Sequence, residues 1–323
     1  MTKKQLLNAF QNELQSKFNG AQNWWTKSLF HFTDINNAIS ILNKEVLYSR
    51  DKANSLSIMK NDNANDEVIG ITDSEYKKYV RLYFAPLTPT QYNSEGIKPK
   101  ELIKNNAHCP IPVMFVFDFV KIFMHEGVKF TDGNLATNPI IYDDIQDLLK
   151  LDFNLIYHRS WFYPEERDKI VNARHSEVLV KNELVLYDNL RVVIVRSEAE
   201  KESLLYQLSP KIREKYISKI FIQPQTGIFR NDWLYINKVF LLNNKIYIDW
   251  HICSNIEICK NKYTLKIIAK TPDNSIVKTL IKPNWHPMSN LQKINLPQDL
   301  INKVFRLEVY IDNIRAYYNL LGY

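Results

Sequence analysis

Apolar residues recur at three- and four-residue spacing at the start of the chain: Leu6, Leu7, Phe10, Leu14 and Phe18 fall on one face. That period predicts an amphipathic helix, ended at Asn19-Gly20. The spacing then changes. Ser28-Leu29-Phe30-His31-Phe32-Thr33 predicts a short strand. Ile35, Ala38, Ile39 and Leu42 predict a helix over 35–44, with Thr33 or Asp34 as its cap. Further strands are predicted at 46–48, 79–84, 190–195 and 219–222, and a strongly apolar one, central in a sheet, at 113–119. Residues 172–180 lead into another, which carries Glu177. Helices are predicted over 141–151 and near 200–216, and a turn at 130–133. Residues 51–66 are polar and asparagine-rich and read as a loop, a candidate for ordering by a ligand. Pro86 and Pro89 make 85–92 neither helix nor interior strand.

After Thr226-Gly227 the segments shorten. Strands at 245–249, 263–269, 276–280 and 307–311, with a turn at Pro272-Asp273-Asn274, predict a small C-terminal β-sandwich. The expectation is an α+β chain in two domains, 1–227 and 228–323. A length of 323 residues agrees with two.

Composition adds limits. With 45% hydrophobic and 24% charged residues, the chain is that of an ordinary folded protein. No stretch approaches the roughly 20 apolar residues of a membrane span, and residues 1–18 lack the apolar run of a signal peptide. Cys109, Cys253 and Cys259 make no disulfide framework and no metal-ligand spacing, so they read as reduced structural cysteines of a cytoplasmic protein without a metal. The net charge of +7 is uneven. Residues 229–323 hold 13 Lys and Arg against 7 Asp and Glu, which leaves +1 for the rest. A basic excess attracts polyanions.

Several polar residues stand out. Glu177 sits at the mouth of an apolar strand, where burial without a partner is costly. Period alone fits either an ion pair with Arg174 or a surface glutamate. His31, between Phe30 and Phe32, fits a hydrogen-bonded core histidine. Arg81 stands alone in an apolar strand and needs an anion or an exit to solvent. Arg50 fits a plain surface position. Residues 154–174 interleave aromatics with cations, including Tyr157, Arg159, Trp161 and Arg174, as single-strand binders do. Glu165, Glu166 and Asp168 nearly cancel that charge, so a packed loop fits equally, and Trp24-Trp25 divides the same way. No Gly-rich phosphate loop, HExxH, GxSxG or kinase signature is present.

Four motifs, in order, resemble the DarT family, bacterial toxins that ADP-ribosylate DNA bases. They are Leu29-Phe30-His31-Phe32-Thr33-Asp34 before a helix, Tyr79-Val80-Arg81-Leu82-Tyr83-Phe84 running into a proline-bearing loop that closes on Tyr92, Phe130-Thr131-Asp132-Gly133-Asn134, and Ala173-Arg174-His175-Ser176-Glu177-Val178-Leu179-Val180. The last resembles the family's Arg-x-x-Glu catalytic strand. The resemblance spans roughly 28–226 and implies the ADP-ribosyltransferase fold, two small mixed sheets clasping NAD as co-substrate. It implies Glu177 as the catalytic carboxylate, with Arg81 and His175 beside it. His31, Thr33, Asn37, Arg50 and Tyr92 would hold NAD, and Tyr157, Arg159, Trp161 and Arg174 would read a nucleic acid.

Members that modify thymine carry an arginine after the first loop proline, where this chain has Leu87, and Met-Leu before the tyrosine, where it has Thr90-Gln91. His175 stands where glutamine is usual. Pro-Leu-Thr-Pro-Thr-Gln-Tyr is nearer the branch associated with guanine. The expected activity is therefore ADP-ribosylation of a guanine in single-stranded DNA, by a toxin or phage-defence effector. An antitoxin partner, either a macrodomain hydrolase or a binding protein, is implied by the same resemblance. Rival expectations are modification of RNA bases, modification of a protein, and a non-catalytic nucleic-acid-binding module.

Overall fold

The computed structural model describes residues 1–58, 74–222, 227–252, 260–287 and 289–322. Residues 59–66 of the asparagine-rich stretch, and Cys253 and Cys259, lie outside them, while 51–55, read as loop, belong to the helix Arg50–Ser55, capped by the Ser49 side chain. The strands are β1 Ser28–Asp34, β2 Val46–Tyr48, β3 Tyr79–Tyr83, β4 Pro112–Asp118, β5 Lys129–Thr131, β6 Ile141–Tyr142, β7 Glu177–Lys181, β8 Glu183–Val185, β9 Leu190–Val195 and β10 Ile220–Ile222. Then follow β11 Tyr235–Leu242, β12 Lys245–His251, β13 Tyr263–Lys270, β14 Ile276–Trp285, β15 Leu291–Asn295, β16 Phe305–Ile311 and β17 Ile314–Leu321.

Eight of them form one sheet, in the order β10-β9-β4-β1-β3-β7-β5-β6. Its middle is its weakest seam. β1 pairs with β4 along seven residues, but with β3 only at Phe30↔Tyr83. The sheet is thus two four-stranded halves, joined at one residue pair. The first half is mixed through its parallel β9–β10 pair; the second is antiparallel throughout. This is the α+β ADP-ribosyltransferase architecture. β4 is flanked on both sides and six of its seven residues are buried, hence its unbroken apolar run.

The helices follow local signals. Lys3–Lys17 opens with a Thr2/Gln5 capping box. Asp34, not Thr33, caps Ile35–Lys44, accepting from the Asn36 N–H at 2.9 Å. Pro89–Ser94 is a short helix despite the prolines, because Pro89 sits in its first turn, where no N–H is needed. Residues 130–131 belong to β5 rather than a turn, and 141–151 divide into β6 and the 3-10 helix Ile145–Lys150. Pro210 splits the region near 200–216 into Glu198–Gln207 and Pro210–Tyr216.

The C-terminal region is two antiparallel sheets, β11-β12-β15 and β14-β13-β16-β17, which share one apolar cluster that includes Trp250, Leu265, Phe305 and Tyr317. β11, β15 and β17 escape the sequence reading because each mixes polar and apolar positions irregularly. This region docks on the first. Tyr317 donates to Glu202 at 2.6 Å, and the Tyr318 N–H donates to Ser203 at 3.0 Å. Gly96, at φ +97°, lies so close to Trp233 that a Cβ there would fall 2.4 Å from the ring.

Candidate active site

β3 ends and β7 begins side by side, with Tyr83 opposite Glu177. Glu177 is buried, at 1% exposure. Its N–H donates to the Thr131 hydroxyl at 3.0 Å, and that hydroxyl donates to the Gly133 carbonyl at 2.7 Å. The Asn172 side chain accepts from the Asn134 N–H and the Thr137 hydroxyl, tying the same hairpin to the helix Arg167–Ala173 that leads into β7. The carboxylate is therefore carried on a braced strand end, as a preorganised group must be.

Oε2 of Glu177 lies 3.6 Å from Nε of Arg81 and makes no hydrogen bond among the described residues. Burial pushes the carboxyl pKa up, and the Arg81 charge and the Tyr83 hydroxyl hold it back. The partner is Arg81, not Arg174, and the surface position is excluded. Arg81 keeps 28% of its side chain exposed, so the pair is reached from solvent on that side.

His31 lies across the seam. Its Nδ1 stands 3.1 Å from the Arg81 carbonyl, which can only accept, so Nδ1–H donates. Burial lowers its pKa. The ring is thus neutral, with Nε2 left as an acceptor. Thr33, two residues on, is buried and accepts from Asn37 Nδ2 at 3.3 Å. His31, Arg81 and Glu177 come together, with Thr33 and Asn37 on the next turn of chain. Arg50 opens the helix Arg50–Ser55 after β2, on a different element from the pair.

Two loops rim the site. One leaves β3. Leu87 there adopts φ +59°, and its N–H donates to Gln91 Oε1 at 2.8 Å. Buried Gln91 in turn donates to Glu95 Oε2 and to the Ile228 carbonyl, both at 2.8 Å. The other loop enters β7. Arg174 donates to the Leu87 carbonyl, joining the two. Its pKa falls to about 10 through burial and the charges of Arg230 and Arg159. His175 donates through Nδ1 to the Val171 carbonyl at 2.9 Å and is held neutral by burial, so its Nε2 also accepts. Tyr92 is 57% exposed, with the Arg230 guanidinium 4.4 Å above its ring.

Within 154–174 the residues part company. Trp161 is 73% exposed and stands edge-on to Tyr163 at 4.5 Å. Arg159 is exposed and lies over Trp25 at 5.3 Å. Tyr157 is a correction: it is 1% exposed and packed against Phe18, Trp25 and Phe153, with no face left for a base. Trp25 is likewise core. Tyr83, Thr131 and Arg230 are the neighbours that the sequence reading missed. Tyr83 and Thr131 lie inside quoted motifs and could be found from register; Arg230 follows the resembling segment and carries no local signal.

Over residues 30–228 the chain matches the family described as DarT, ssDNA thymidine ADP-ribosyltransferase. The chain belongs to the DarT family. It is accordingly an ADP-ribosyltransferase, and the family segment contains every site residue named above except Arg230. Similar solved structures include a Thermus sp. 2.9 DarT in complex with ADP-ribosylated ssDNA, at 18% identity and TM-score 0.49, covering 62% of this chain and 95% of that one. The same Thermus protein with NAD+ matches at 16% identity and TM-score 0.46, over 62% and 96% of the two chains. A Thermosipho africanus DarTG in complex with ADP-ribose matches at 17% identity and TM-score 0.46, over 68% and 54%. Comparison with curated proteins gives no match. Among the described residues of this DarT-family chain, no group of three His, Cys, Asp or Glu could hold a metal, and no helix is long and apolar enough to cross a membrane.

Proposed function

We propose that this protein transfers the ADP-ribosyl group of NAD to a guanine of single-stranded DNA, as a toxin or phage-defence effector. The observation that carries the reading is Glu177: a buried carboxylate oxygen without a hydrogen bond, beside Arg81, one strand from the seam between two half-sheets. Its acceptor suits a ribose hydroxyl. In the step, the bond from ribose C1′ to the nicotinamide nitrogen breaks and nicotinamide leaves with the electron pair. A guanine nitrogen bonds to C1′ and gives its proton to Glu177. A fixed anion stabilises the oxocarbenium-like transition state more than the neutral sugar.

In this reading the His31 Nε2, Thr33 and Asn37 receive the nicotinamide end, Arg50 and Tyr92 complete the NAD contacts, and Arg81 tunes Glu177. Neutral His175 is a second proton acceptor. Arg159, Trp161 and Arg174 face the strand. The NAD and ssDNA complexes of the Thermus relative agree with this pair of substrates. Guanine rests on the resemblance of the 86–92 loop to the guanine-associated branch, with Leu87 and Thr90-Gln91 where thymine-modifying members carry arginine and Met-Leu. The DarTG relative supports an antitoxin partner. The division into 1–227 and 228–323 belongs to the same reading, the second unit adding most of the net positive charge.

The test is NAD with single-stranded oligonucleotides that each lack one base, as DNA and as RNA, read by mass. A gain of one ADP-ribose on DNA that disappears only without guanine is the expected result. Loss with another base moves the specificity. Gain on RNA alone, or only on protein in an extract, replaces the substrate.

A further inference from the structure

Three arginines gather at the rim without an acidic partner. Arg174 reaches the Leu87 carbonyl, and Leu87, Gln91 and the Ile228 carbonyl form an unbroken chain of hydrogen bonds beside it. Arg159 lies against the start of the same linker: a Cβ on Gly227 would come 3.0 Å from its Nη2. Arg230 leaves that linker over the Tyr92 ring at 4.4 Å. None of the three has an ion pair among the described residues. The nearby carboxylate, Glu95, turns instead to backbone, accepting from the Arg230 and Asn231 N–H groups at 2.9 and 3.4 Å. Nε of Arg230 is buried and unbonded.

Like charges crowded at one rim repel, and Arg174 and Arg230 are partly withdrawn from water as well. Folding alone has no use for the arrangement. An anion with several oxygens relieves it, because planar guanidinium forks match phosphate geometry. We propose that Arg230, carried by the linker that follows the family segment, completes with Arg159 and Arg174 a cradle for a phosphate group at the rim of the site. Tyr92 supports the Arg230 guanidinium from its ring face. Glu95 anchors its backbone and keeps no hydrogen bond to its side chain. The cradle rests on the proposed function for its natural ligand, which is a phosphodiester of the strand or the pyrophosphate of NAD.

The experiment compares the full chain with R230Q and R230K, after melting curves show all three folded. Inorganic pyrophosphate binding, measured by calorimetry, tests the cradle by itself. R230Q should bind about 10- to 100-fold more weakly, the range for a charge-assisted hydrogen bond, with R230K between, since lysine keeps the charge but not the fork. Equal affinity in R230Q, or no binding by the unaltered chain, overturns the cradle. Oligonucleotide affinity against salt then names the source. A slope reduced by about 0.7 in R230Q, one single-strand phosphate, with unchanged NAD affinity assigns the strand. Weaker NAD binding with an unchanged slope assigns the dinucleotide. If the unaltered chain binds pyrophosphate but neither binds nor modifies any oligonucleotide, the proposed substrate fails while the cradle stands.

Discussion

Arg81 and Glu177 approach to 3.6 Å without closing a hydrogen bond, on neighbouring strands that pair antiparallel. The separation leaves Arg81 close enough to offset part of the burial cost of the carboxylate, and Oε2 still able to accept. A fully closed pair would neutralise the group that the chemistry needs.

Glu177→Gln should keep the fold and dinucleotide binding yet lose at least about 10²-fold in rate, the worth of a positioned general base. Near-normal turnover by that variant removes Glu177 from its role. The same change relieves a buried charge. Because the folded pKa is raised, the wild-type cost is present at neutral pH and fades as pH falls through that pKa. The variant should therefore melt higher at neutral pH, about 2–4 °C for each kcal/mol relieved, and the gain should vanish in acid.

Rate against pH should show an acid limb, because Glu177 must be ionised to take a proton. Its midpoint should lie above the ordinary glutamate range. Arg81→Gln removes the charge that holds that pKa down, so the limb should move to higher pH. An unmoved limb in Arg81→Gln would mean that the two groups are not coupled.

His31→Ala removes a neutral ring whose Nε2 can accept, and leaves the Arg81 carbonyl without this donor. NAD should bind up to about tenfold more weakly, one net hydrogen bond. Titration by calorimetry checks this, and unchanged affinity takes His31 out of the site.

Gly96→Ala places a Cβ into the Trp233 ring at a φ of +97°. Strain and overlap together should cost about 2–5 kcal/mol, read from the denaturant midpoint. Wild-type stability in this variant would mean that the Trp233 contact is not held in solution.

The sequence reveals what repeats or what is locally unusual. The β4 run, the Ile35–Lys44 face and the lone Arg81 are visible because each is either periodic or out of place. Glu177 is visible as an oddity, but its partner is not. Arg174 is three residues away and Arg81 is 96, and only strand pairing chooses between them. Tyr157 misleads because an aromatic among cations looks the same whether it faces a base or Phe18. β11 and β17 are hidden because their polar and apolar positions do not alternate cleanly, and β11 carries a register shift between Ile236 and Lys238. Pro89 shows that a residue excluded from a helix interior is welcome in its first turn.

The belt of bonds from Gln91 and Glu95 to residues 228–231 bears on where this protein can be shortened. A chain ending at Gly227 deprives buried Gln91 of the Ile228 carbonyl and Glu95 of two backbone donors, so a carboxylate already disfavoured by burial is left more isolated. The loop carrying Leu87 hangs from that same amide. A chain cut after Gly227 should therefore melt lower than one cut after Asn231, which keeps these donors and this acceptor.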